Sequence, residues 1–83
     1  MTYTVIWQAA AFGSLRRLHA EDPTGAAAIL STIRALAIDR SPPNSVRLGG
    51  TQIWRLRLGQ FRVLYEVEDA QKSVTVMSLG AVP

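Results

Sequence analysis

The chain has 83 residues, 48% of them hydrophobic, and no cysteine, so it has room for one core and lacks disulfides and thiolate metal sites; a lone histidine cannot build a metal centre. The net charge is +3, and the basic residues are arginines apart from Lys72, a composition that favours contacts with phosphate or carboxylate groups. No apolar run reaches the ~20 residues of a membrane span and the N-terminus lacks a signal-peptide pattern, so we expect a cytoplasmic protein without membrane contact, metal or cofactor.

The N-terminal half predicts one strand and two helices. Alternating β-branched and aromatic residues indicate a strand from Thr2 to Trp7, and helical spacing of apolar residues follows from Gln8 to Ala20. Asp22-Pro23 is typical of a helix start, and this second helix is expected to continue to about Asp39. The apolar stripes that should face the core are Ala11, Phe12, Leu15 and Leu18, then Ala26, Ile29, Leu30, Ile33, Leu36 and Ala37.

The C-terminal half predicts a meander of three strands. The loop Ser41-Pro42-Pro43-Asn44 ends the helical region, and Gly49-Gly50 closes it. The strands are expected at Ile53 to Leu58, Phe61 to Glu68 and Ser73 to Leu79. The prediction is an α+β domain spanning 1–83 in the order β-α-α-β-β-β, an antiparallel sheet with a two-helix hairpin packed on one face.

A two-residue turn at Gly59-Gln60 would set the register of the first hairpin. Arg57 then lies directly opposite Arg62, and side-chain alternation places Arg55 and Glu66 on the same face. The opposite face, directed at the helices, holds Trp54, Leu56, Leu58, Phe61, Val63 and Tyr65. Like charges opposite each other cost free energy unless an anion lies between them, which favours a phosphate site; neutralisation of Arg55 by Glu66 on an ordinary solvated face is the equally weighted alternative.

The run from Ile53 to Val67, IWRLRLGQFRVLYEV, resembles the aromatic-Arg-x-Arg-x-Gly-x-Tyr/Phe-Arg-x-x-Tyr core of the RelE/ParE superfamily of bacterial toxins. The opening strand, the helical hairpin, Leu48-Gly49 and the closing strand to Gly80 are compatible with that family over nearly the whole chain. The resemblance implies a RelE-like fold and the toxin of a type II toxin–antitoxin system.

In the RelE branch, the resemblance implies a ribosome-dependent mRNA endoribonuclease, an mRNA interferase that inhibits translation and is neutralised by a small acidic antitoxin. The implied partners are the antitoxin, the ribosome and mRNA. Arg55, Arg57 and Arg62 match its catalytic positions, and Arg47, ahead of the hairpin, joins them as an implied RNA-binding residue. Preorganised guanidinium groups stabilise the charge that develops when a 2′-hydroxyl attacks its own phosphate, and this chemistry requires no metal.

Two alternatives stay open. Arginine cannot act as an ordinary general base, and where RNA-cleaving relatives carry a further basic residue and a tyrosine this chain has Gly80-Ala81-Val82-Pro83. That difference favours a ParE-like inhibitor of DNA gyrase, or a member that only binds its antitoxin and their shared operator. Glu66, a ribosomal group or the nucleotide itself are the candidates for proton transfer, so enzymatic activity is left undecided.

Other conspicuous residues have ordinary structural interpretations. His19 is expected at the surface near a helix end, and Trp7 and Trp54 are expected in the core rather than stacked on bases. Three arginines should lie on the solvent sides of the helices, where they extend the positive field: Arg16, Arg17 and Arg34.

Overall fold

The computed structural model describes residues 2–82, which form two helices and a five-stranded sheet. In chain order the elements are β1 (Thr4–Trp7), α1 (Ala9–Glu21), α2 (Pro23–Ala35), β2 (Ser45–Arg47), β3 (Ile53–Leu58), β4 (Phe61–Glu68) and β5 (Ser73–Ala81). The strand order across the sheet is β1-β5-β4-β3-β2. The α+β class and the helical hairpin are confirmed.

Two details of the predicted sheet were wrong. Strand β1 pairs with β5 in parallel, so the sheet is mixed rather than fully antiparallel. The segment predicted as loop contains β2, a three-residue edge strand that pairs antiparallel with β3. Such a short strand carries too little side-chain alternation to be recognised by pattern, because its conformation depends on the neighbour that supplies its hydrogen bonds.

The helical hairpin turns at Asp22. Its carboxylate accepts a hydrogen bond from the Gly25 N–H at 2.9 Å, and Pro23 occupies the first helical turn, where it needs no partner for an N–H. Helix α2 ends at Ala35, four residues before the predicted end, and Ile38 beyond it is 79% exposed. The predicted capping signal is confirmed, whereas the helix end was placed too late.

One core lies between the helices and one face of the sheet. Helix α1 packs against α2 and against β5. The fully buried residues from the sheet are mainly those that alternation places on the helix side, and the cluster comprises Ala11, Ile29, Ile33, Leu36, Leu56, Phe61, Val63, Tyr65, Val67, Val74, Val76 and Leu79. Phe12, predicted in the buried stripe, is 50% exposed and meets the Trp7 ring edge-on.

No helix formed by residues 2–82 covers the other side of the sheet, and we call that side the open face. Gly59, with φ of 58°, provides the left-handed conformation that the β3–β4 turn requires, while Gln60 stays outside that region, a pattern typical of a type II′ hairpin. No helix within residues 2–82 combines the length and apolarity required to cross a bilayer.

Candidate nucleic-acid interface

Strands β3 and β4 bring three arginines together on the open face. Arg57 is the direct cross-strand partner of Arg62, as predicted, and Arg55 pairs with Leu64 one row further along the hairpin. Directly opposite residues on adjacent strands share a face and have Cβ atoms roughly 4.5–5.5 Å apart. We call Arg55, Arg57 and Arg62 the arginine face.

No carboxylate of residues 2–82 neutralises any of these guanidinium groups. Among residues 2–82, the ion pair formed is between Arg40 and Asp69, and no carboxylate reaches the arginine face within 4.0 Å. Glu66 shares the open face but does not pair with Arg55, so the alternative of internal neutralisation is not what the structure forms. The positive charge is therefore available to an external anion.

Burial divides the three arginines into two kinds. Arg57 is exposed, whereas Arg55 and Arg62 are half-buried. The Nε atoms of Arg55 and Arg62 are shielded from solvent and have no hydrogen-bond partner. A buried donor without a partner costs free energy. Because both Nε atoms are shielded, an anion at this site would bind through the outer guanidinium nitrogens, which are not among the shielded atoms.

A groove of about 460 Å³ lies against the two half-buried arginines. It mixes cationic and apolar walls, so it can hold an anionic group beside a flat apolar one. Its lining comes from β3, β4, the end of β5 and the loop after β2: Leu48, Arg55, Arg62, Leu64, Ser78, Leu79, Gly80, Ala81 and Val82. Alternation could have identified Leu64, but the β5 residues depend on a register that shifts between Leu64 and Tyr65.

Asn44 fixes the backbone at Arg57. The Arg57 N–H donates to the Asn44 carbonyl at 3.0 Å, and the Asn44 side-chain Nδ2 donates to the Arg57 carbonyl at 2.7 Å. The side-chain amide thereby replaces the backbone donor that would complete this antiparallel pair. The end of β3 that carries Arg57 is held by this contact although β2 begins only at Ser45.

Arg47 does not join the arginine face. It is paired with Trp54 across β2 and β3, so its side chain lies on the helix side of the sheet, and Val46 is the β2 residue beside Arg55. The Arg47 Nε donates to the Thr51 carbonyl at 2.6 Å. The family resemblance implies that Arg47 binds RNA, and the pairing of β2 with β3 places this residue on the opposite side of the sheet from the arginine face.

Tyr65 and Trp54 belong to the packed side of the sheet, as predicted. Their rings stack with centroids 6.5 Å apart, and the buried Tyr65 hydroxyl donates to the Arg40 carbonyl at 2.7 Å. Burial raises the pKa of Tyr65 above the ordinary tyrosine value. This tyrosine is therefore a structural residue and has no direct access to the groove.

No group of three or more histidine, cysteine, aspartate or glutamate side chains within residues 2–82 is arranged to hold a metal ion. The groups that line the groove on the open face are guanidinium donors, one serine hydroxyl and apolar surface. That set suits recognition of phosphate in a polynucleotide.

The fold as a whole is similar to that of several solved structures. The RelE–RelB complex of Pyrococcus horikoshii OT3 contains a chain that superposes with a TM-score of 0.84 at 25% identity, over 98% of this chain and 96% of that one. The chain has the RelE-like fold of the RelE/ParE toxin superfamily. No protein-family model and no curated protein matches the sequence.

Two further structures with this RelE-like fold come from bacteria. The toxin–antitoxin complex RelBE2 from Mycobacterium tuberculosis matches with a TM-score of 0.79 and 21% identity, covering 98% of this chain and 99% of that chain. The YoeB/ParE toxin from Agrobacterium tumefaciens matches with a TM-score of 0.81 and 15% identity, covering 96% and 99%. Because coverage is nearly complete in both directions, the RelE-like fold accounts for the whole described chain.

Proposed function

We propose that this RelE-like protein, acting as a single domain over residues 1–83, is the toxin of a type II toxin–antitoxin system that cleaves mRNA on the ribosome. The observation that carries the proposal is the arginine face, in which Arg57 and Arg62 are direct cross-strand partners without any internal counter-ion among residues 2–82. The similarity in fold to the toxins of RelE–RelB and RelBE2 complexes supports the toxin assignment.

The proposed chemistry is attack of a ribose 2′-hydroxyl on the adjacent phosphodiester. Negative charge builds on the non-bridging oxygens of the five-coordinate phosphorus, and guanidinium groups fixed on neighbouring strands are preorganised to stabilise it. Arg62 and Arg55 line the groove, and Arg57 is exposed directly across from Arg62 on the neighbouring strand. These residues bind and stabilise charge, but they do not transfer protons at neutral pH.

Glu66 is the acidic side chain on the open face nearest in register to the arginine face. It lies opposite Ile53 on β3 and Thr75 on β5, one row beyond Arg55. A ribosomal group or the nucleotide itself is the other source of a base or acid. Replacement of Glu66 by glutamine separates these possibilities, because only a direct role makes the cleavage rate depend on this carboxylate.

We further propose an acidic antitoxin as the protein partner in the cytoplasm. The structural neighbours include toxins bound to antitoxins, among them the YoeB–YefM complex from Staphylococcus aureus. An acidic segment that covers the arginine face would supply the missing carboxylates and exclude RNA from the groove.

The test is inducible expression in cells, with growth and the 5′ ends of messenger RNA both followed. We expect growth arrest with new RNA ends, loss of both in Arg57→Ala and Arg62→Ala, and retention of both in the matched control Arg34→Ala, whose arginine is exposed on α2. Circular dichroism of the purified variants checks that they remain folded.

Other outcomes of the same experiment identify the alternatives. Growth arrest with intact messages and accumulation of cleaved DNA–gyrase complexes would replace the RNase proposal with a gyrase inhibitor. Unaltered growth without any antitoxin would contradict both activities and leave a protein that only binds its partner or an operator.

A further inference from the structure

Gly80 lies on the open face beside the arginine face. It is the β5 partner of Arg62, so one row across three strands reads Arg57, Arg62 and Gly80. The next row contains Arg55, Leu64 and Ser78. The groove is lined by Arg62 and Gly80 of the first row and by all three residues of the second, whereas Arg57 lies outside its lining.

The fold itself does not require a glycine at this position. Among the described glycines, positive φ occurs at Gly50 and Gly59, so Gly80 has a backbone conformation that other residues adopt freely. A Cβ built on Gly80 would meet no atom within 4 Å apart from its chain neighbours. Glycine inside a strand weakens the strand, because it adds backbone entropy and provides no side chain to pack. Neither local geometry nor packing therefore explains this glycine.

What the missing side chain leaves is space directly beside Arg62. Side chains at directly opposite positions rise next to each other, so any residue larger than alanine at position 80 would occupy the groove alongside the Arg62 stem. Arg55 and Arg62 both line this groove together with Gly80. A phosphodiester that approaches the guanidinium group of Arg62 from the β5 side needs this neighbouring position to be free of a side chain.

We propose that Gly80 is a specificity-determining residue: it keeps a place open beside Arg62 for one sugar–phosphate unit of a single-stranded RNA. This inference rests on the proposed function and deepens it. Arg57, Arg62 and Gly80 then form one row across three strands. Two of the strands carry a positive side chain, and the third leaves space for the RNA backbone. Leu64 provides apolar surface on which a base can lie next to that phosphate.

The experiment compares Gly80→Ala and Gly80→Val with the matched controls Gly49→Ala and Gly49→Val. Gly49 also has negative φ and no atom within 4 Å of a built Cβ, but it does not line the groove. Fluorescence anisotropy with a labelled single-stranded RNA of about 12 nucleotides gives Kd, and thermal unfolding gives Tm.

We expect binding to weaken with side-chain size, by no more than about threefold for Gly80→Ala and about tenfold or more for Gly80→Val, which corresponds to losing one good phosphate contact. The Tm of Gly80→Val should equal or exceed that of the parent protein because valine favours strands. Both Gly49 variants should keep the parent Kd.

Three results would overturn the inference. If Gly80→Val binds RNA as the parent does, the space is not used. If Gly80→Val lowers Tm together with binding, glycine has a structural role. In both cases the proposed function survives, provided that Arg62→Ala abolishes RNA binding. If the parent protein itself does not bind RNA, the proposed function and the inference fail together.

Discussion

Removing one charge from the arginine face should stabilise the free protein. Two unit charges about 6 Å apart repel by about 0.7 kcal/mol in water-like surroundings, and like charges opposite each other on adjacent strands cost up to about 1 kcal/mol. Arg57→Gln removes the charge and keeps part of the aliphatic stem, so little besides the charge is changed. Since Arg57 has no counter-ion among residues 2–82, we expect the free energy of unfolding to rise by about 0.5–1 kcal/mol at low salt.

Urea denaturation of the parent, Arg57→Gln, Arg62→Gln and the double variant forms a double-mutant cycle that isolates the pair. The coupling should be repulsive at about 50 mM salt and largely absent at about 1 M, where the Debye length is about 3 Å. Arg34→Gln should show no comparable gain in the free energy of unfolding, because Arg34 has no arginine opposite it on a neighbouring strand. A lower free energy of unfolding for Arg57→Gln, or a coupling energy of zero at low salt, would show that Arg57 and Arg62 do not repel each other and would remove this support for a phosphate site.

Two further predictions concern the fold. Gly25→Ala should destabilise the protein by about 1–2 kcal/mol in urea denaturation, despite the better helix propensity of alanine, because the new Cβ would collide with the Asp22 cap and lie 2.9 Å from Phe61 Cζ; unchanged stability would contradict this. The hydrogen bond from the Tyr3 hydroxyl lowers the pKa of Asp69 and, in return, raises the pKa of Tyr3. This hydrogen bond should therefore stabilise the folded protein from about pH 5 to 9. The stabilisation should be lost as the pH falls through the lowered pKa of Asp69 or rises through the raised pKa of Tyr3. A stability difference between the parent and Tyr3→Phe that is the same at every pH would count against it.

The sequence alone predicted the features that depend on residues close together in the chain. Gly59-Gln60 defines a two-residue hairpin turn, and strict alternation on both sides of it then determines that Arg57 faces Arg62. The same reasoning placed Tyr65 and Trp54 on the packed side. The cap at Asp22 was likewise readable, because capping depends on residues only three positions apart.

The sequence was insufficient where structure depends on distant partners. The parallel pairing of β1 with β5 joins residues about 70 positions apart, for example Thr4 with Ser73, and no local pattern encodes it. Strand β2 exists because β3 offers it hydrogen bonds, and that pairing places Arg47 on the side of the sheet opposite the arginine face. Gly80 and Ser78 could not be assigned to the groove because the β4–β5 register shifts at a bulge.

If the three guanidinium groups of the arginine face bind RNA phosphates together, RNA binding must depend strongly on salt concentration, and this dependence is the most direct test. Each phosphate contact contributes about 0.7 to the slope of log K against log salt concentration for a single strand. Replacing all three arginines of the face by alanine should reduce that slope by about 2. The matched control replaces three arginines on the helices, Arg16, Arg17 and Arg34, by alanine and should leave the slope unchanged. An equal slope for the parent and the arginine-face variant, or a reduction only in the helix variant, would contradict the account.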